Sequence, residues 1–171
     1  ITSDEAKSLF NGKKLVIPDS FGGLNVGGIA HYAFYKEASG ETPEVTYPEI
    51  DFDLSQVKSS GECWPGQYSF SKTGITKVEF SARGFLQQRA FQDCDKLEYV
   101  DLTNCAGGQW HAFRFCDNLT TVKADNLQKW SWGGCVAPFA DCPKFEEITL
   151  NSMTYKTFID YQLLQNATSL K

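Results

Sequence analysis

The stretch Ala90–Leu102 reads AFQDCDKLEYVDL, and close variants of it follow as AFRFCDNLTTVKA (112–124) and PFADCPKFEEITL (138–150). With each phenylalanine counted as position 0, all three segments carry apolar residues at positions 3, 6, 9 and 11. Position 3 is cysteine every time, at Cys94, Cys116 and Cys142. Self-similarity at a fixed period of this length is typical of proteins built from stacked repeats.

Weaker copies extend the pattern in both directions along the chain. The position-0 residues are Phe34, Phe70, Phe91, Phe113, Phe139 and Leu164, and an insertion containing ETPEVTY lengthens the first copy. We expect one domain over 1–171, because a chain of this length suits a single domain. Its predicted parts are a capping segment at 1–14, with a short helix over 2–10, and about six irregular repeats over 15–171, the last one partial.

The spacing of apolar residues differs between the two halves of each copy. Positions 8 to 12 alternate polar and apolar residues, as in YVDLT (99–103), which predicts a short strand with one buried face. Positions 0 to 6 carry apolar residues three apart, which fits one or two helical turns. One copy cannot bury both faces, so stacking predicts a parallel sheet, a column of buried phenylalanines and a column of free, buried position-3 thiols. The predicted fold class is α/β, a solenoid with short parallel strands on its concave side and short helical turns or loops on the other.

The three clear copies and the partial copy LLQNATSLK (163–171) resemble the BspA-like leucine-rich repeat, which reads roughly A-F-x-x-C-x-x-L-x-x-I-x-L. The linker IPDSFGGLNVGGIAHYAF (17–34) is also typical of that family, and the resemblance covers the chain from Leu15 to Leu170. The chain departs from the family where an Ile-Gly pair is usual before AF, since Gly108 and Gly134 replace the isoleucine. The resemblance implies a bacterial secreted or cell-surface protein whose signal segment has been removed. Some members of the family are adhesins for host matrix proteins.

Composition and motifs narrow the function classes. A net charge of −5 disfavours nucleic-acid binding, and no run of 18 apolar residues is present to insert into a membrane. The chain has no C-x-x-C pair, no G-x-S-x-G elbow and no phosphate-binding glycine motif. His31 and His111 share a phase but lie several repeats apart, which disfavours a catalytic pair. We therefore predict no enzyme activity, no cofactor and no metal.

The outward side of the predicted sheet is the first candidate site. Positions 8, 10 and 12 of each strand are expected to point away from the core. The middle column is predicted to be Asp51, Glu79, Asp101, Lys123 and Thr149, with Tyr99 beside it at position 8. Two interpretations stand: a solvated acidic face, or a docking surface for a basic partner or a weakly bound divalent cation.

The tryptophans form the second candidate site. Trp64, Trp110, Trp130 and Trp132 all fall in linkers between a strand and the next AF pair, away from the core positions of the repeat. Exposed aromatic side chains are favoured in interfaces, so Trp110, Trp130 and Trp132 are predicted ligand contacts. The alternative is that each ring fills a gap beneath an irregular linker.

Together these observations predict a non-catalytic binding module that takes a protein or glycan ligand, such as a host matrix component, on its concave face. The alternative is a structural spacer of a larger surface protein, with no ligand of its own. A repeat fold alone does not decide between them.

Overall fold

The computed structural model describes residues 10–11, 14–18, 20–25, 28–35, 50–53, 64–80, 85–105, 107–125, 129–130, 137–149, 164–169 and 171. Within these ranges the regular elements are strands, and the segments between them are turns and bends. The strands are β1 (Phe10–Asn11), β2 (Lys14–Val16), β3 (Ser20–Phe21), β4 (Leu24–Asn25), β5 (Gly28–Ile29), β6 (Ile50–Asp53), β7 (Trp64–Pro65), β8 (Ile75–Glu79), β9 (Phe85–Leu86), β10 (Tyr99–Asp101), β11 (Gly107–Gly108), β12 (Thr121–Lys123), β13 (Lys129–Trp130) and β14 (Glu147–Thr149). A search of these residues finds no helix of the length and apolar character needed to cross a membrane.

The main sheet has seven strands in the order β1-β2-β6-β8-β10-β12-β14. β1 and β2 are antiparallel, and every later pair is parallel. Val78, Val100, Val122 and Ile148 pair one to one across the sheet, so each copy adds one strand in the register that the period predicts. The predicted parallel strands are thus confirmed. Residues 2–9 of the predicted N-terminal helix lie outside the described residues, and Phe10 belongs to β1 instead.

The linkers form a second set of short parallel strands. β5 pairs with β7, and β9, β11 and β13 form a three-stranded sheet. The N–H of Gln87 joins the two groups by donating to the carbonyl of Pro65 at 3.1 Å. Gly108 and Gly134 each lie five residues before a position-0 phenylalanine, so spacing predicts that they are equivalent. In the structure Gly108 pairs instead with Trp130, four residues before Gly134. The linker before Phe139 is longer than the one before Phe113, and its additional residues therefore lie between β13 and Phe139.

The segments from position −3 to position 2 form the turn side of the protein, and they are turns rather than the helical turns expected from the sequence. The copies of Phe70, Phe91, Phe113 and Phe139 each have left-handed backbone at two non-glycine residues, and the first and last copies have one such residue each among the described residues. The φ angles are 54° to 61° everywhere except at Ala137, where φ is 21°. These residues are Tyr32, Tyr68, Arg89, His111 and Ala137 at position −2, and Lys72, Asp93, Phe115, Asp141 and Asn166 at position 2. Left-handed residues at this interval interrupt the φ/ψ pattern that an α-helix needs.

In the left-handed turns, successive backbone N–H groups alternate between a hydrogen bond to the neighbouring copy and one within their own copy. The N–H of Phe91 donates to the carbonyl of Ala112 in the next copy at 2.8 Å, whereas the N–H of Gln92 donates to Arg89 within its own copy at 3.2 Å. The same alternation recurs from copy to copy, so the turns are hydrogen-bonded to one another much as strands are. Adjacent copies are consequently joined by backbone hydrogen bonds on both sides of the core.

The core lies between the main sheet and the turns, and two columns run through it. The Phe column consists of Phe34, Phe70, Phe91, Phe113 and Phe139, whose successive ring centroids are 4.8, 5.0, 5.2 and 5.5 Å apart. Position 6 (Leu97, Leu119, Phe145) and position 9 (Val100, Val122) are also buried, and Leu164 of the partial copy packs against this core. The predicted phenylalanine column is confirmed.

The Cys column consists of Cys94, Cys116 and Cys142, which are buried and free, as predicted. Each thiol donates to the carbonyl of the phenylalanine in the preceding copy, at 3.1 to 3.3 Å. Burial and the neighbouring thiols raise the pKa of Cys116. Cys105 is also free and buried, and Cys63 and Cys135 lie outside the described residues.

Candidate functional site

The outward residues of the main sheet lie in two straight columns, and this surface is called the sheet face below. One column runs Lys14, Asp51, Lys77, Tyr99, Thr121 and Glu147, and the other Val16, Asp53, Glu79, Asp101, Lys123 and Thr149. The predicted middle column is correct from Glu79 onward but wrong at Asp51. A register shift between Ile50 and Asp51 pairs Asp51 with Lys77 and brings Asp53 beside Glu79.

Four charged side chains of the sheet face form two ion pairs. The Nζ of Lys77 lies 2.7 Å from a carboxylate oxygen of Glu79, two residues along the same strand. The Nζ of Lys123 lies 3.6 Å from the carboxylate of Asp101 on the neighbouring strand. These side chains are partly exposed, so each ion pair contributes little to stability, on the order of 0–1 kcal/mol. This part of the face is therefore mixed in charge rather than uniformly acidic.

Tyr99 and Asp101 lie at the centre of this arrangement. The Lys77 ammonium lies over the Tyr99 ring, 5.1 Å from its centroid, and the Tyr99 hydroxyl lies 3.5 Å from the Asp101 carboxylate. The other carboxylate oxygen of Asp101 accepts the N–H of Thr103 at 2.9 Å. Burial, followed by the charge of Asp101, raises the pKa of Tyr99, so its hydroxyl stays a hydrogen-bond donor at neutral pH.

The four tryptophans do not form one site. Trp110 is 45% exposed on the turn side. Trp64 and Trp130 lie in β7 and β13, so two of the predicted linker residues belong to the second set of strands. Trp132 lies outside the described residues. Of the three tryptophans predicted to contact a ligand, Trp110 is the one for which an exposed side chain is described.

A cluster on the turn side was not anticipated from the sequence. Tyr32, Tyr35, Tyr68 and Arg89 form it and are called the Tyr–Arg cluster. The rings of Tyr32 and Tyr68 stack with their centroids 5.3 Å apart, and Tyr35 lies 5.7 Å from each of them. The guanidinium of Arg89 covers the Tyr68 ring at 5.4 Å and donates a hydrogen bond to the Tyr68 hydroxyl.

The next copies continue this surface with further cations and rings. Arg114 lies 2.7 Å from the Asp141 carboxylate and covers the Phe115 ring at 4.3 Å. Burial, with the charges of Arg114 and Arg89, lowers the pKa of His111 against a smaller opposing effect of Asp141. His111 is therefore neutral at pH 7. Of these three residues, Arg114 is paired with Asp141 and His111 is neutral, which leaves Arg89 as the cation without a carboxylate partner among the described residues.

The described part of the chain contains no group of three histidine, cysteine or carboxylate residues arranged to hold a metal ion. The side chains of the sheet face provide ion pairing and hydrogen bonding, which is the chemistry of recognition. Asp51 and Asp53 are placed by backbone register, and their side chains lie outside what the structure describes.

Comparisons with protein-family models, with curated proteins and with solved structures find no match for this chain.

Proposed function

We propose that this chain is a BspA-like leucine-rich-repeat solenoid that acts as a non-catalytic binding module outside the cell or at its surface. Its ligand would be a protein or glycan, such as a host matrix component, held on the sheet face. The match of the A-F-x-x-C-x-x-L pattern to the Phe and Cys columns supports the family assignment. The buried thiols are compatible with an oxidising compartment, because inaccessible cysteines react slowly.

One observation carries the binding proposal. Four consecutive strands, β8, β10, β12 and β14, pair in unbroken one-to-one register. Lys77, Glu79, Tyr99, Asp101 and Lys123 are thereby held on rigid backbone at strand spacing. A surface of partly exposed charges with a tyrosine among them fits a polar ligand that exchanges internal ion pairs for intermolecular ones.

A structural spacer remains the second candidate, and the pairing of charges favours it. Lys77 with Glu79, and Lys123 with Asp101, satisfy each other without a ligand. A face of this kind is soluble by itself and carries no requirement for a partner.

The two functions are separated by a binding screen of the full chain against immobilised matrix proteins and glycans. The sheet-face variant carries Glu79→Lys and Asp101→Lys. The matched control carries Asp95→Lys and Asp117→Lys, which make the same charge change at exposed residues outside the strands of the main sheet.

A binding module predicts saturable binding that weakens with salt and falls by at least about tenfold in the sheet-face variant. The control is expected to stay within about twofold of the unmodified chain. Equal losses in both variants would mean that net charge alone governs binding. If the folded, unmodified chain binds nothing in the screen, the spacer is the better description.

A further inference from the structure

Exposed apolar rings of the described residues are concentrated on the turn side. Four large hydrophobic side chains are exposed there and in the linkers: Leu24, Tyr32, Trp110 and Phe115. Tyr32, Trp110 and Phe115 lie on the turn side within four consecutive copies. Tyrosine, tryptophan and arginine are the residue types that contribute most to binding at protein interfaces.

The two arginines of this surface differ in their electrostatic environment. Arg114 has a carboxylate partner in Asp141. Among the described residues no carboxylate lies within ion-pair distance of Arg89, and its Nε–H has no hydrogen-bond partner. Arg89 nevertheless holds a defined position, because its guanidinium is stacked on Tyr68 and bonded to the Tyr68 hydroxyl. A half-buried cation fixed in place without a counter-charge is complementary to an anion.

The arrangement of the rings distinguishes between kinds of anionic partner. Tyr32 and Tyr68 are stacked on each other with their planes 11° apart, and Arg89 covers the Tyr68 ring as well. A sugar ring binds best against an open aromatic face, which Tyr68 does not offer. The cluster offers tyrosine hydroxyls, the Arg89 guanidinium and the half-exposed ring of Tyr32, which suit carboxylates and apolar side chains together.

We propose that the Tyr–Arg cluster, with Trp110 beside it, is a docking surface for an acidic segment of a partner protein. A carboxylate of that segment pairs with Arg89, and its apolar side chains contact Tyr32 and Trp110. The neighbouring backbones hold these residues together, since the Arg89 N–H donates to the Trp110 carbonyl at 2.9 Å. This surface is separate from the sheet face, so the docking proposal can be tested independently of the function proposed above.

The test uses the full chain at low ionic strength and a labelled oligoglutamate peptide, with binding followed by fluorescence anisotropy. We expect saturable binding that Arg89→Gln weakens by about tenfold, because an ion pair to a fixed guanidinium is lost. Arg114→Gln removes the same charge from the same side, but at an arginine already paired, and is expected to change the affinity by less than about twofold. Lys123→Gln on the sheet face is expected to have no effect.

Several outcomes would overturn the proposal. Equal losses in Arg89→Gln and Arg114→Gln would mean non-specific attraction, and absence of oligoglutamate binding would remove the site. If polygalacturonate binds through Arg89 more tightly than oligoglutamate, the partner is an anionic glycan and not a protein segment. The unmodified chain can also be titrated with oligoglutamate and followed by NMR, which requires no variant. We expect chemical-shift changes to centre on Arg89, Tyr68 and Trp110. Changes centred on Lys77 and Lys123 would contradict the assignment.

Discussion

On the sheet face, Lys77 and Glu79, and Lys123 and Asp101, neutralise one another, whereas on the turn side Arg89 lies among tyrosines with no carboxylate at ion-pair distance in the described part of the chain. The same copies build both surfaces. On the sheet face, residues two apart point the same way and neighbouring strands are in register, so opposite charges meet along and across strands. On the turn side, position −2 of each copy is held in left-handed backbone, which aligns Tyr32, Tyr68, Arg89 and His111 in one column.

The comparison shows that the core constrains the buried positions of the copies and leaves the exposed positions of both faces free to differ. Phenylalanine fills position 0 in five copies and cysteine fills position 3 in the three clear copies, with Thr73 and Ala167 at position 3 of two others, whereas the exposed positions vary more widely. The properties of the exposed surfaces therefore depend on which residues a few neighbouring copies carry, while stability arises from the buried columns that the copies share. The following predictions test each part of that comparison.

The largest expected effect comes from the Phe column. Phe113 is fully buried between Phe91 and Phe139, so Phe113→Ala should lower the free energy of unfolding by about 3–5 kcal/mol. Phe115, two residues later in the same turn, is 37% exposed, and Phe115→Ala should cost about 1 kcal/mol or less. Denaturant unfolding of both variants measures the two costs. Similar values for both would contradict the assignment of Phe113 to the core.

The Cys column should show a smaller effect. Cys116→Ala removes a thiol that donates to the Phe91 carbonyl and leaves a small void, at a cost of about 1–2 kcal/mol. Asp117→Ala, at the exposed next residue, is the control and should change stability by less than about 0.5 kcal/mol.

Thiol reactivity gives an independent check on burial. Burial raises the pKa of Cys105 to about 12, and Cys94, Cys116 and Cys142 have no exposed surface. A thiol reagent followed by peptide mass spectrometry should leave these four cysteines unmodified in the folded protein and label them after unfolding. Rapid labelling of Cys116 in the native state would place that column outside the core.

The left-handed turns predict opposite effects for two glycine substitutions. Lys72 is exposed and has φ of 59°, so Lys72→Gly relieves a left-handed conformation and should stabilise the fold by up to about 1 kcal/mol. Lys96 is also exposed but is not left-handed, so Lys96→Gly should destabilise by about 0.5–1 kcal/mol. Thermal unfolding of the pair decides the question, and destabilisation by both would argue against left-handed backbone at Lys72.

The smallest expected effect concerns His111. The pKa of His111 in the folded protein lies below the ordinary value of 6.5, so His111 of the unfolded chain takes up a proton at higher pH than His111 of the folded protein. The contribution of His111 to the free energy of unfolding is therefore lost as pH falls below about 6.5. Arg114 and Arg89 favour the neutral form and Asp141 opposes them. Arg89→Gln should therefore raise the pKa of His111, which NMR titration measures, with His31→Gln assigning the resonance. An unchanged pKa would place Arg89 away from His111.

Much of the fold could be predicted because buried positions repeat. The phenylalanine and cysteine spacings identified both columns, and period-2 alternation identified the strands of the main sheet. The turns could not be predicted in the same way, because the left-handed positions are occupied by Tyr68, Arg89 and Asp93 among others, rather than consistently by glycine or asparagine. Asp93 is of a type that tolerates left-handed backbone, but Tyr68 and Arg89 are not, so the residue types give too weak a signal to separate a left-handed turn from a helical one.

The sites were predicted less completely, for local reasons. The register shift beside Ile50 comes from an irregular pairing that spacing alone does not encode, and it displaced Asp51 from its predicted neighbours. Trp130 lies in a linker as predicted, but spacing did not show that this linker contributes a strand, β13, to a second sheet. The Tyr–Arg cluster joins residues from three copies, of which Tyr32, Tyr68 and Arg89 share position −2. A comparison of the residues at that position across the copies is the signal that could have identified it.

The central claim is that adjacent copies are hydrogen-bonded to one another through their turns. NMR couplings transmitted across hydrogen bonds test it most directly, because they identify each donor with its acceptor. The account predicts a coupling from the amide nitrogen of Phe91 to the carbonyl carbon of Ala112, and from Phe113 to Pro138. A coupling from Phe91 to Gln87, four residues earlier, would mean that the segment is helical and would contradict the account.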